Sequence, residues 1–132
     1  MLGSGEFGDA VVIADLEAGI GTLTRLGDGS VAAVVIVVEP TPRSIEVGTR
    51  AAALAREKSL GRVVVVANRL RGDADRDRLA DVFRGYELVA VPDDPGIAAA
   101  ERAGTAPLDT APGAPAVQAL VGLAESFIPP AS

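Results

Sequence analysis

Cysteine and histidine are both absent from these 132 residues. Their absence excludes disulfides, thiolate nucleophiles, Ser-His and Cys-His catalysis and nearly every zinc site, leaving carboxylates, hydroxyls, arginine and backbone as chemical tools. Any bound metal would then be a hard cation such as magnesium, with no zinc, iron-sulfur cluster or haem. Tryptophan is missing too, and aromatics are confined to Phe7, Phe83, Tyr86 and Phe127. The core must therefore come from the small aliphatics that help bring apolar residues to 48% of the chain. Positive charge is scarce. A formal charge of −6 argues against nucleic acid as a partner, because phosphate binding needs a basic face. No apolar run is long enough to span a bilayer, and the leader lacks the basic-then-apolar order of a signal peptide. The expectation is a cytoplasmic chain with no membrane partner.

What is present fits one domain, large enough to bury roughly two-thirds of its unfolded surface. Gly3, Gly5 and Gly8 in "MLGSGEFG" match Gly-x-Gly-x-x-Gly in letters only. That fingerprint needs a preceding strand, so residues 1–8 read as a linker or cloning remnant and residues 9–132 as the domain. Four strands are predicted, at Ala10–Ala14, Ala32–Val38, Arg62–Ala67 and Glu87–Val91. The second and third are continuous β-branched runs, the pattern of parallel strands covered on both faces.

Helices are predicted between and after them. Thr41 is a candidate N-cap with Pro42 at the first helical position, opening a helix to about Ser59 whose inward stripe is Ile45, Gly48, Ala52 and Ala55. A shorter helix over Asp75–Arg84 should bury Leu79, Val82 and Phe83. A third runs over Pro95–Ala103, and "GTAPLDTAPGAP" reads as a loop. The last helix, about Pro115–Ile128, should bury Val117, Leu120, Val121, Ala124 and Phe127. The alternation predicts an α/β fold: an open, mainly parallel four-stranded sheet with helices on both faces and right-handed crossovers.

Ligands of such sheets bind at the carboxyl ends of the strands. The residues leaving the strands are Asp15 with Glu17, Glu39, Asn68 with Arg69, and Asp93-Asp94 after Pro92. Each alone is equally an ordinary cap or turn residue. Together they could form one edge, with Asp15, Glu17, Glu39 and Asp94 as magnesium ligands, Asp15 and Glu17 as catalytic carboxylates, and Asn68, Arg69, Pro92 and Asp93 around a nucleotide base. Asn68 offers the donor and acceptor that an adenine edge requires.

Four blocks, "DAVVIADLEAGIGTLTR", "VVIVVEPTPRSIEVGTRAAALA", "VVVVANRL" and "VPDDPGIAAAERAG", resemble the latter part of the MinD/ParA-like P-loop ATPases, most closely the CooC type. The resemblance implies a truncated P-loop NTPase-like, Rossmann-like three-layer fold. It places Asp15 at the Walker B aspartate, Glu17-Ala18-Gly19 in the switch segment, Asn68 at the base-contacting asparagine and Pro92-Asp93-Asp94 in the loop beside the base. The family's amino-terminal strand and its glycine-rich Walker A loop with two lysines have no counterpart, nor does its metal-binding cysteine pair. Lys58, the single lysine, falls late in a predicted helix. The expectation is a P-loop-less relative that does not hydrolyse ATP by the family mechanism and binds adenine nucleotide and magnesium weakly.

By the same resemblance, the P-loop strand would lie between the first two strands here. Its absence predicts a homodimer with exchanged or shared strands, because an open apolar edge invites pairing. Two alternatives stand beside this reading. One is a divalent-metal hydrolase acting on phosphate esters or related substrates through the strand-end carboxylates. The other is a non-catalytic dimerisation module using the Ile45–Leu54 helix and the last helix.

Overall fold

The computed structural model describes residues 11–15, 25 and 31–128. Within them a three-stranded parallel sheet, in the order β1-β2-β3, is built from β1 (Ala33–Val38), β2 (Arg62–Leu70) and β3 (Glu87–Pro92). Its register runs from Ala33 opposite Arg62 to Val38 opposite Ala67, and from Val64 opposite Glu87 to Ala67 opposite Ala90. Helices α1 (Pro42–Glu57), α2 (Asp73–Val82), α3 (Pro95–Ala103), α4 (Pro107–Thr110) and α5 (Pro115–Ser126) make the crossovers and the cover. The α/β class and the parallel sheet are as expected, but the sheet has three strands and not four. Val11–Ala14 is not a strand: it has no ladder partner, and Val11 and Ile13 are 88% and 90% exposed. A β-branched sequence becomes a strand only against an available edge, and among the described residues no strand pairs with this one. Ala10, like residues 1–8, lies outside the described residues. Among the described residues no helix is long and apolar enough to cross a membrane.

Helix α1 forms where Thr41 caps it, its Oγ1 accepting from the Ser44 N–H at 3.3 Å, with Pro42 pre-set in the first turn. The stripe that faces the sheet is made of small residues. Gly48, Ala51, Ala52 and Ala55 are buried, and Ile45 packs against the same core. A helix whose fully inward residues are glycine and alanine sits close to a valine-rich sheet, with Ile45 and Leu54 at the margin, so Ile36 and Val38 on β1 and Val65 on β2 are sealed beneath it. From α2, Leu79 and the flanking Phe83 complete this core, while Val82 stays 40% exposed against the expectation. The ten-residue helix turns only Leu79 and Phe83, four residues apart, onto the sheet.

The opposite face is covered by α5, and only over part of its width. Val66 and Val91 are buried there against Ala116, with Ala119 and Leu123 at the margin. Val117 is also buried, but Leu120 and Phe127 are 43% and 40% exposed and Ala124 is exposed, so the expected face is rotated. Seven of the eight residues from Ala116 to Leu123 other than Gln118 are apolar or glycine, so periodicity does not single out one face, and the small Ala116 and Ala119 fit closest to the valines. Phe127 instead packs its ring under the Arg62 guanidinium, 4.6 Å from the ring centroid. The stretch 104–115, expected as a loop, contains the one-turn helix α4.

Candidate functional site

The carboxyl ends of β1, β2 and β3 carry the polar residues singled out in the sequence. β2 runs past its expected end at Ala67 to Leu70, so Asn68 and Arg69 lie inside the strand. Four residues from Ala67 to Leu70 oppose three from Ala90 to Pro92, and the ladder slips there. The extra residue is accommodated by Arg69, whose φ of 59° is left-handed. A bulge of this kind re-aims the side chains beside it.

That bulge sends the Arg69 side chain across two strand ends. Its Nη1 lies 3.4 Å from Glu39 Oε1 and its Nε 3.7 Å from Asp93 Oδ1. All three side chains are between 43% and 58% exposed, so the pairs are solvent-screened. Glu39 is tied to α1 as well, its backbone N–H donating to Ser44 Oγ at 2.9 Å. Asp93 is fixed through its backbone N–H, which donates to the Leu70 carbonyl at 2.8 Å. Half-buried Asn68, together with Arg69, Pro92, Asp93, Asp94, Ile97, Ala98 and Glu101, lines a cleft of about 250 Å³. The structure therefore brings Asn68, Arg69, Pro92 and Asp93 together, as expected. Ile97, Ala98 and Glu101 complete the wall and were missed. Their signal was the helical spacing after the Asp94 cap, which turns one face of α3 toward Asn68.

Asp94 ties the starts of two helices together. Its Oδ1 accepts the Gly96 N–H at 2.8 Å, capping α3, and its Oδ2 accepts the Ala116 N–H at 3.0 Å, anchoring the start of α5. Both carboxylate oxygens are engaged by backbone donors. Asp15 lies on the exposed segment outside the sheet, and Glu17 lies outside the described residues. Among the described residues no three acidic side chains cluster. Of the four candidate ligands, Glu39 is bridged to Arg69 and Asp94 accepts from two N–H groups.

Lys58 stands at the C-cap of α1. Because α1 leaves the carboxyl end of β1 and returns to the start of β2, this lysine lies at the far end of the sheet from Asn68. The cation at the cleft is Arg69.

No family model matches the chain. Curated relatives do. It is 33% identical over 105 residues to the carbon monoxide dehydrogenase accessory protein CooC of Rhodospirillum rubrum, covering 76% of this chain and 39% of that protein. It is 34% identical over 76 residues to an uncharacterised ATP-binding protein of Methanocaldococcus jannaschii, covering 58% of this chain and 29% of the relative. The chain thus spans well under half the length of the curated relatives it matches. Among solved structures, the MinD cell division protein of Aquifex aeolicus superposes with a TM-score of 0.58 at 21% identity, over 79% of this chain and 48% of that one. That likeness is one of fold. Taken with the curated relatives, it relates the chain to the MinD/ParA/CooC-like family of P-loop ATPases.

Proposed function

We propose that the chain binds the base end of an adenine nucleotide in the cleft between the carboxyl ends of β2 and β3, and that these residues alone do not carry out hydrolysis. The observation that supports this reading most is the convergence of Asn68, Arg69 and Asp93 on one cleft at the strand ends. The Asn68 amide supplies a donor and an acceptor, which suits the paired amine and ring nitrogen of adenine. Asp93 offers an acceptor to an exocyclic amine. Arg69 offsets one of the two charges on Glu39 and Asp93, so an anionic ligand meets less repulsion at this rim than it would without the guanidinium. One relative is an ATP-binding protein, which agrees with this choice of ligand.

The proposed lack of hydrolysis rests on charge. Phosphoryl transfer needs cations and backbone amides around the β- and γ-phosphates. The one lysine is at the opposite end of the sheet, and no three of the described carboxylates cluster. No step of the proposed binding runs through a metal.

Thermal melting with and without ADP tests the reading. A ligand at tenfold its Kd stabilises the native state by about 1.4 kcal/mol, a Tm rise of several degrees for a domain of this size. The expected result is such a rise at millimolar ADP, unchanged by chelator and lost in Asn68→Ala. No rise with the wild-type chain, or an equal rise in Asn68→Ala, overturns it.

A further inference from the structure

Alternation along β2 assigns its residues to two faces. Val65 and Ala67 belong to the core beneath α1 and α2, and Val66 to the core beneath α5. Continued past Ala67, the same alternation would turn residue 68 toward the α5 side, residue 69 into the α1 core and residue 70 back toward α5. Asn68 keeps to this pattern, half-buried in the cleft that it shares with Ile97, which packs against the α5 core. The next two residues break it. Leu70 is 6% exposed within the α1 core, while the Arg69 side chain is 58% exposed. The left-handed turn at Arg69 makes this exchange, sparing the core an arginine and giving it a leucine. Such a backbone is costly outside glycine and persists only where its surroundings fix it. Burial of Leu70 fixes it here, and the Leu70 carbonyl in turn accepts the Asp93 N–H at 2.8 Å. One turn thus delivers the guanidinium to the rim and holds Asp93 beside it.

We infer that Arg69 is a positioning residue for Asp93, and that the pair selects purines whose six position carries an amine over those that carry a carbonyl. The inference rests on the proposed binding of a base in this cleft. Asp93 is held twice, through its N–H and through Oδ1, which faces Arg69 Nε at 3.7 Å. Its side chain is 46% exposed and accepts no hydrogen bond from the described residues, so it retains acceptor capacity for a ligand. An ionised carboxylate accepts and cannot donate. It suits the amine of adenine and repels the carbonyl oxygen that hypoxanthine carries at the same carbon. Glu39 matters as well. Lying 3.4 Å from Nη1, it occupies the far side of the guanidinium, which would otherwise offer its donors to a carbonyl-bearing base.

Adenosine and inosine test the inference, since they share a ribose and carry no phosphate, so a cation acting on phosphate affects neither. Dissociation constants come from NMR titration of the full chain. The wild type should bind adenosine about tenfold more tightly than inosine, the factor that one lost hydrogen bond supplies. Arg69→Gly, which suits a φ of 59°, should bring that ratio down by about threefold, the order of an exposed ion pair. Arg69→Lys, keeping one positive charge, should lie between. Asp93→Asn, whose amide offers the inosine carbonyl a donor, should level the two nucleosides. A purely structural loss would weaken both nucleosides alike and leave the ratio where it was. An unchanged ratio in Arg69→Gly overturns the inference, as does a lysine variant indistinguishable from it or a preference that survives Asp93→Asn. Equal binding of both nucleosides by the wild type overturns this inference alone, whereas binding of neither overturns the proposed function with it.

Discussion

Replacing Gly48 by alanine sets two known effects against each other, and the structure decides which wins. Alanine in a helix interior is favoured over glycine by about 1 kcal/mol. A Cβ at position 48, however, would stand 2.5 Å from Val38 Cγ2, 3.4 Å from Phe83 Cζ and 3.5 Å from Val38 Cγ1. Carbon atoms rest about 3.5–4.0 Å apart, so roughly 1 Å must be found between α1 and β1. Val38 cannot supply it easily. Its side chain is fully buried, and a β-branched residue has few rotamers to escape into. Overpacking of this kind costs about 1–3 kcal/mol, which leaves a net loss of up to about 2 kcal/mol after the propensity gain. The midpoint of thermal unfolding should fall by about 3–6 °C. Gly122→Ala is the control, since it sits on the exposed side of α5 with no atom within 4 Å of its added Cβ. It shares the same loss of unfolded-chain entropy and should raise the midpoint. If Gly48→Ala raises the midpoint as much as Gly122→Ala, the close approach of α1 to β1 is not real.

Further outcomes follow from single contacts. Asp94→Ala removes a helix cap and orphans the Ala116 N–H, and should cost about 2–3 kcal/mol in urea unfolding, with Asp94→Asn intermediate because one oxygen acceptor remains. Arg69→Gly should be more stable than Arg69→Ala by about 1 kcal/mol, since both lose the same exposed ion pairs but only glycine relaxes at a φ of 59°. The hydrogen bond from Arg62 holds the Glu87 carboxyl below its ordinary value of 4.5. A lowered folded-state pKa contributes stability above the ordinary value and loses it as pH falls through the lowered one. The urea midpoint of the wild type should therefore drop below pH 4.5 more steeply than that of Glu87→Gln.

Much of the fold is legible because its signals are local. Thr41-Pro42 marks the start of α1, the Ile45/Gly48/Ala52/Ala55 spacing marks its inner face, and the valine runs of β1 and β2 need no tertiary information. The errors fall where a partner decides. Val11–Ala14 has strand composition, yet composition does not provide an edge to pair with. The face of α5 was misread because nearly every side of that helix is apolar. The cleft was legible in part: strand ends in an α/β sheet collect ligands, so Asn68, Arg69, Pro92 and Asp93 were found together. The bulge at Arg69 was not legible, since nothing in "VANRL" announces a left-handed arginine. The capping role of Asp94 is not legible either, since a cap and a metal ligand are written with the same residue and only the positions of the Gly96 and Ala116 N–H groups reveal the cap.

A nitrogen-15 NMR titration of the wild-type chain with ADP tests ligand binding at the strand ends most directly. The predicted result is saturable shifts at millimolar ADP in the Asn68 side-chain amide and in the backbone amides of Arg69, Asp93 and Ile97, with β1 and the end of α1 near Lys58 unmoved. Shifts centred on the start of α1, or none at the Asn68 amide when ADP is in large excess, contradict it.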